Sequence, residues 1–298
     1  MKNQSKYTRI LLAISCTILL SCNQKVEKGF ADINGTSIYY EIKGDGVPII
    51  LMHGFACDTR YWDNQFELFS ENYKVIRYDF RGFGKSGLPD TLMSYSHVND
   101  LITLLDFLHL NKVIIMVHSM GGLAAFEFAY NYPERVHALV FAEGAASLKE
   151  FNNQPGSKEV GNMFGKVFNI GRNEGVENGK KVLLQISVFR SAINNPNSEK
   201  IFKQMVMDYT GWHFKNKDPM QSYEQIEFED ISNLQIPVLL INGELSQDHY
   251  HQTIQKMHIY LPNSKLVILK NSGHMLSLEN PEQFNYEVLT FLKENDIK

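Results

Sequence analysis

In the sequence Val113-Ile114-Ile115-Met116-Val117-His118-Ser119-Met120-Gly121-Gly122-Leu123, an apolar run ends in a serine and two glycines follow. The run is bounded and rich in β-branched residues, which predicts a buried strand. The segment from Leu123 to Tyr130 is rich in Ala, Leu and Phe, which favours a helix. Ser119 is therefore expected on a tight turn, with its hydroxyl at the positive end of the helix. This placement favours a nucleophile over a serine that only packs or caps.

Strands and helices alternate along most of the chain. Apolar strands are predicted at 47–52, 73–78, 113–117, 138–142, 238–241 and 265–269, and helices at 63–70, 97–108, 123–131, 251–261 and 281–293. This alternation indicates an α/β fold, with a mostly parallel sheet and helices on both faces. The Asn34-Gly35 pair predicts a hairpin that forms the antiparallel edge of this sheet.

The alternation is interrupted between about residues 147 and 230. This segment contains glycine-rich turns and aromatic-rich helical pieces but no clear strand, which predicts a helical cap at 147–230. The α/β core is then expected at 30–146 and 231–298. Aromatic residues such as Phe168 and Trp212 either line an apolar pocket or form the core of the cap itself.

The N-terminal residues are expected to be a targeting segment rather than part of the fold. A basic start and a short apolar run predict a signal peptide at 1–21, too short for an ordinary membrane span. Its end, Leu19-Leu20-Ser21-Cys22, resembles a bacterial lipobox. That resemblance implies a lipid on Cys22, a polar tether at 22–29, and export to the surface of a bacterial membrane. A plain signal peptide with an incidental cysteine is the alternative.

Composition excludes several classes of function. The net charge is −4 and no cluster of Lys or Arg occurs, so a nucleic-acid partner is not expected. No metal-ligand spacing, phosphate loop or dinucleotide fingerprint is present, so neither a metal nor a cofactor is expected. Outside the N-terminal segment the one cysteine is Cys57, which is expected to be a buried thiol without a disulfide.

Two further motifs provide partners for the serine. His274 directly follows the last predicted strand, where the carboxyl end of the sheet forms a site, and it is predicted to be the general base. The loop His53-Gly54-Phe55 ends an early strand and can turn a backbone N–H toward the serine. The N–H groups of Phe55 and Met120 are therefore predicted to form an oxyanion hole.

These motifs resemble the α/β-hydrolase superfamily in their order and approximate spacing. The matching residues are His53-Gly54-Phe55, Asp79-x-Arg81-Gly82-x-Gly84-x-Ser86, His118-Ser119-Met120-Gly121-Gly122 and Gly273-His274. The chain resembles a small capped serine esterase or lipase, and the resemblance runs from about residue 30 to the C-terminus except over the predicted cap. One departure is Val117, which stands where the Gly-x-Ser-x-Gly pattern has its first glycine.

The second departure concerns the acid of the expected triad. The resemblance implies an Asp at position 246, but Ser246 stands there and Asp248 follows two residues later. Some members of the superfamily take the acid from the end of the strand that follows the elbow helix. Glu143 stands at that point, and we favour it over Asp248, which remains the alternative.

The sequence therefore predicts a serine hydrolase that cleaves a carboxylic ester or related acyl bond of a small apolar substrate through an acyl-enzyme. Two alternatives remain at this stage. One is a non-catalytic protein that binds a ligand on a hydrolase scaffold. The other is a carbon–carbon-bond hydrolase or acyltransferase that uses the same residues.

Overall fold

The computed structural model describes residues 25–149 and 154–298. The predicted signal peptide at 1–21 and the lipid site at Cys22 lie outside the described residues. Within the described ranges, no helix has the length and apolar character needed to span a membrane.

A single mixed sheet forms the centre of the described structure. Its eight strands lie in the order β1-β2-β4-β3-β5-β6-β7-β8. Strands β1 and β2 are antiparallel, β2 pairs antiparallel with β4, and the remaining pairs are parallel. The strands are β1 (Glu27–Ile33), β2 (Thr36–Lys43), β3 (Pro48–Met52), β4 (Lys74–Tyr78), β5 (Val113–His118), β6 (Val136–Ala142), β7 (Val238–Gly243) and β8 (Ser264–Leu269). The prediction of an α/β fold with a mostly parallel sheet is confirmed.

The edge hairpin forms at the predicted turn. Asn34 and Gly35 have φ values of 47° and 72°, the left-handed values that a two-residue turn of this kind requires. Strand β1 begins at Glu27, so the predicted tether at 22–29 is wrong over its last three residues. The charged and small side chains at 27–29 do not form the apolar pattern of a buried strand, because an edge strand exposes one face to water.

Helices connect the strands and cover the sheet. Helix α1 packs against α11, and α2 packs against α3. Ser96 caps the start of α2 by accepting hydrogen bonds from two backbone N–H groups. The core helices are α1 (Asp63–Phe69), α2 (His97–Phe107), α3 (Gly121–Asn131), α9 (Asp248–Tyr260), α10 (Leu276–Glu279) and α11 (Pro281–Glu294).

The segment between β6 and β7 contains helices and irregular stretches in its described part, with isolated bridges at Leu148 and Met220. The helices Pro155–Asn173 and Val176–Leu183 pack closely because glycines face each other, so that a Cβ at Gly179 would lie 2.7 Å from the Cα of Gly171. The insertion also contacts the core through an ion pair of 2.8 Å between Arg60 and Asp208. Its helices are α4 (Pro155–Asn173), α5 (Val176–Leu183), α6 (Arg190–Asn194), α7 (Glu199–Asp208) and α8 (Trp212–Lys215).

A buried ion pair joins the loop after β4 to helix α2. Arg81 donates two hydrogen bonds to the carboxylate of Asp100, at 3.0 and 2.7 Å. The two side chains are only 4% and 3% exposed. Asn34 of the edge hairpin donates a further hydrogen bond to Asp100, at 3.0 Å. The pair therefore fixes three segments of the core to one another.

Replacement of Asp100 tests how much this ion pair contributes to the free energy of unfolding. Asp100→Ala leaves the Arg81 guanidinium buried without its carboxylate, so we expect the free energy of unfolding to fall by about 3–5 kcal/mol. Asp106 lies on the same helix and pairs with Arg135, but its side chain is 59% exposed. Asp106→Ala should therefore cost less than about 1 kcal/mol. Urea denaturation measures both values, and equal losses would contradict the special weight given to the buried pair.

Candidate active site

Ser119 occupies the turn between β5 and α3 in a left-handed backbone conformation, with a φ of 49°. Its carbonyl oxygen accepts hydrogen bonds from the N–H groups of Gly122, at 2.9 Å, and Ala145, at 2.8 Å. The second bond comes from the loop that follows β6. The unfavourable conformation of the serine is thus held by groups from two neighbouring strand ends.

The two glycines after Ser119 are required by close backbone contacts. A Cβ at Gly121 would lie 2.8 Å from the carbonyl oxygen of His53, and one at Gly122 would lie 2.6 Å from that of Ala145. Val117, by contrast, is a fully buried strand residue in register with Met52 and Phe141. Val117 therefore lies within the sheet. The close contacts at the turn are made by Gly121 and Gly122, which the sequence retains.

The structure brings Ser119, His274 and Glu143 into one chain of hydrogen bonds. His274 lies on the loop after β8, and its Nε2 is 3.0 Å from Ser119 Oγ. Its Nδ1 is 2.8 Å from Oε2 of Glu143, the first residue after β6. Glu143 and His274 are only 1% and 3% exposed. This arrangement places a hydroxyl, an imidazole and a carboxylate in the order that nucleophilic catalysis requires.

Asp248, the alternative acid, is not part of this chain. It is the first residue of helix α9 and its side chain is exposed. Both ring nitrogens of His274 already have partners in Ser119 and Glu143. The interpretation of Asp248 as an acid partner of His274 is therefore wrong, because the helix that begins at this residue presents it to solvent.

Ser246, which occupies the position where the family resemblance implies an Asp, supports the carboxylate instead. Its hydroxyl donates a hydrogen bond to Oε1 of Glu143. The N–H of Gly243 donates a second bond to the same oxygen, at 2.7 Å. The end of β7 thus binds the oxygen of Glu143 that His274 does not use. The sequence marks Ser246 only as a position where the expected acid is missing, and it does not predict this contact.

The loop that carries His274 is held by a second carboxylate, Glu279. This side chain accepts hydrogen bonds from the N–H groups of Gly273, at 2.8 Å, and Met275, at 3.0 Å. It also accepts one from the hydroxyl of Ser191 in the insertion. Burial raises the pKa of Glu279, and these hydrogen bonds act in the opposite direction. One carboxylate therefore connects the His274 loop to the insertion.

His118 provides further support for the same loop, and sequence reasoning assigned it no role. Its Nε2 donates a hydrogen bond to the carbonyl oxygen of His274, at 2.9 Å. Its ring stacks on Tyr61 at 4.3 Å. Burial lowers the pKa of His118 well below 6.5, so the ring is neutral and carries its proton on Nε2. A polar residue at the end of a fully apolar strand was the signal in the sequence that could have indicated this role.

The loop after β3 lies against the serine at Gly54. A Cβ there would lie 3.0 Å from the Cβ of Ser119, so only glycine allows this approach. Within the described residues, the N–H groups of Phe55 and Met120 donate no hydrogen bond to another protein group. Both groups predicted for an oxyanion hole are therefore available for a ligand.

His53 fixes the orientation of the Phe55 N–H. The N–H of Phe80 donates to His53 Nε2, at 3.1 Å, so Nδ1 carries the proton and donates to the carbonyl oxygen of Gly54, at 2.8 Å. Burial lowers the pKa of His53 to about 4, which keeps this tautomer neutral. Because the carbonyl of Gly54 and the N–H of Phe55 belong to one trans peptide, binding the first sets the direction of the second.

Aromatic side chains of the insertion gather around Phe55. Its ring centroid lies 5.5 Å from that of Phe168 and 5.8 Å from that of Phe164. Trp212, the other residue predicted for a pocket, has its ring 5.0 Å from His213 and is 8% exposed. The structure therefore brings Phe168 to the loop beside Ser119 and places Trp212 in the packing of the insertion.

The chain is similar to known proteins over most of its length, and this similarity identifies its family. The model of the alpha/beta hydrolase fold family matches residues 47–281. The chain belongs to this family. The match covers the strands from β3 to β8 and every residue of the Ser119, His274 and Glu143 chain, and it confirms the family predicted from the motifs.

Three relatives give the range of this similarity. A Bacillus subtilis (strain 168) protein with the provisional name 2-succinyl-6-hydroxy-2,4-cyclohexadiene-1-carboxylate synthase is 27% identical, over 82% of this chain and 89% of its own. An uncharacterized carboxylesterase of the same organism is 23% identical, over 83% and 79%. A solved thermophilic esterase from Thermogutta terrifontis is 25% identical with a TM-score of 0.72, over 91% and 99%.

Separate replacement of the two candidate acids tests the geometry. Glu143→Gln removes the charge that faces His274 Nδ1, so we expect kcat for a p-nitrophenyl ester to fall by about three to four powers of ten. Asp248→Asn changes an exposed side chain and should alter kcat by less than about twofold. Steady-state kinetics of the two variants measure both effects. A larger loss in Asp248→Asn than in Glu143→Gln would reject Glu143 as the acid.

Proposed function

We propose that this protein is a serine hydrolase that cleaves a carboxylic ester or a related acyl bond. The observation that carries the proposal is the continuous chain from Ser119 Oγ through His274 to Glu143 at a strand-to-helix turn. The carboxylesterase and esterase among the relatives support the same chemistry. In this proposal Ser119 is the nucleophile, His274 the general base and Glu143 the acid.

The mechanism follows from the positions of these atoms. His274 Nε2 takes the proton of Ser119 as Oγ attacks the carbonyl carbon, and Glu143 stabilises the imidazolium that results. The N–H groups of Phe55 and Met120 bind the developing oxyanion. His274 then protonates the leaving oxygen, and an acyl-enzyme remains on Ser119. Water activated by the same imidazole releases the acid and restores the serine.

The acyl part of the substrate is proposed to be small and apolar. Phe55 follows the glycine that contacts Ser119, and the rings of Phe164 and Phe168 lie against it. Aromatic side chains of this kind bind hydrocarbon and exclude water from the reacting carbonyl. Phe168 therefore has a role in the acyl site, and Trp212 has none.

A second candidate is a reaction on a carbon–carbon bond with the same residues. It is favoured by the relative whose provisional name is that of a cyclohexadiene-carboxylate synthase. Ester hydrolysis remains our first proposal, because the carboxylesterase and the thermophilic esterase among the similar proteins are named for it. A purely ligand-binding role would leave the hydrogen-bonded chain of Ser119, His274 and Glu143 without a use.

Replacement of the nucleophile tests the proposal. Ser119→Ala should lower kcat for p-nitrophenyl butyrate by at least about a thousandfold, because no other group supplies the attacking oxygen. The parent protein should also react covalently with a fluorophosphonate, and Ser119→Ala should not.

The matched control is Ser232→Ala, which changes an exposed serine and should leave both readouts unchanged. Labelling that persists in Ser119→Ala would reject Ser119 as the nucleophile. A parent protein that neither labels nor turns over any ester would favour the ligand-binding alternative.

A further inference from the structure

A cavity of about 700 Å³ reaches His274 from the side of the insertion. Its described walls come from residues 187–196, around helix α6, and from residues 245–250, after β7. His274 and Asn271 of the loop after β8 complete it. Neither Phe55 nor Phe168 lines this cavity, so it is distinct from the aromatic group beside Ser119.

The wall of this cavity combines apolar and polar surface, and no carboxylate is among its described lining residues. Its hydrogen-bonding side chains are mostly neutral and include Ser187, Asn194, Asn195 and Gln247. Two buried carboxylates accept hydrogen bonds from hydroxyl groups of the wall. Ser246 donates to Glu143 and Ser191 donates to Glu279, so both charges are already bound by hydrogen bonds.

Arg190 is the one permanently charged side chain among the described residues that line the cavity. It is exposed and has no carboxylate within ion-pair distance in the described structure, as is also true of Arg172, whereas Arg60, Arg77, Arg81 and Arg135 each have one. A guanidinium presents a planar set of donors that matches a carboxylate at two points. Asp248, next to Gln247, is exposed at the start of α9 and does not line the cavity.

The chemistry of ester cleavage places the leaving alcohol beside the imidazole. His274 Nε2 must protonate the leaving oxygen, so the alcohol part of an ester leaves along the imidazole. The cavity is lined by His274, whereas the aromatic side chains beside Phe55 suit the acyl part. A single positive charge and neutral amides match a group with one negative charge better than a dianion, which would draw further cations.

We propose that this cavity binds the leaving alcohol and that Arg190 selects alcohols that bear a carboxylate. This inference rests on the ester hydrolysis proposed above. Ser119 Oγ bonds to the acyl carbon, the bond from that carbon to the alcohol oxygen breaks, and the proton on His274 passes to this oxygen. The product that leaves is a hydroxy acid, and water then releases the acyl group.

Two esters of equal size test the charge selection. The butyryl esters of glycolate and of glycolamide share the acyl group and differ in a carboxylate against a neutral amide. We expect the parent protein to prefer the glycolate ester in kcat/KM, mainly through KM. Arg190→Gln should lower the ratio of the two kcat/KM values by about tenfold, and Arg190→Lys should lower it less. Any difference in intrinsic reactivity between the two esters is the same factor for every variant, so that this factor cancels when the ratio of a variant is compared with that of the parent protein.

The matched control is Arg172→Gln. Arg172 is an exposed arginine of helix α4 that does not line the cavity, so its replacement should leave the ratio unchanged. Sodium chloride at high concentration should reduce the preference of the parent protein, because the ion pair is accessible to solvent. An unchanged ratio in Arg190→Gln, or an equal fall in Arg172→Gln, would overturn the proposal.

A binding measurement separates this proposal from the proposed reaction. Glycolate should bind to Ser119→Ala, as followed by isothermal titration calorimetry, and the added Arg190→Gln change should weaken that binding at least about tenfold. Glycolate binding that depends on Arg190, without turnover of any ester, would reject the reaction and retain the anion site. Hydrolysis of both esters without dependence on Arg190 would reject the anion site and retain the reaction.

Discussion

Left-handed backbone at the ends of two neighbouring strands is the constraint on which this site depends. Ser119 and Glu143 follow β5 and β6 directly, and both have positive φ, at 49° and 45°. Because His118 and Ala142 are in register, the residues that follow them emerge side by side from the sheet. Such a conformation costs a non-glycine residue about 1–2 kcal/mol. The bond from the N–H of Ala145 to the carbonyl of Ser119 links the two turns and offsets part of this cost.

The third member of the site arrives from a distant part of the sequence and needs more support. His274 lies on a loop that three buried groups hold: His118 binds the carbonyl of His274, Glu143 binds its ring, and Glu279 binds the N–H groups of the two flanking residues. Each of these groups is polar and would destabilise the core if it lacked a partner. Their hydrogen bonds are therefore a condition of folding as well as of geometry. The imidazole is positioned by the same contacts that make its surroundings stable.

Local patterns in the sequence predicted the fold well. Contacts between residues that are distant in the sequence could not be predicted in the same way. The Asn34-Gly35 turn and the strand ends could be predicted because backbone conformation and burial leave marks within a few residues. Glu143 could be favoured because it ends a strand. Sequence could not reject Asp248, since rejection required the direction in which a helix presents one side chain. The role of His118 and the position of Trp212 likewise depended on packing between segments far apart in the chain.

Glu279 couples the insertion to the His274 loop through hydrogen bonds. Its carboxylate accepts hydrogen bonds from the backbone on both sides of His274 and from Ser191, which is the chain neighbour of Arg190. A ligand that stabilises helix α6 would therefore also stabilise the loop of the imidazole, and by reciprocity an ordered loop would stabilise helix α6. Binding of a ligand to the insertion and ordering of the His274 loop are thus linked thermodynamically.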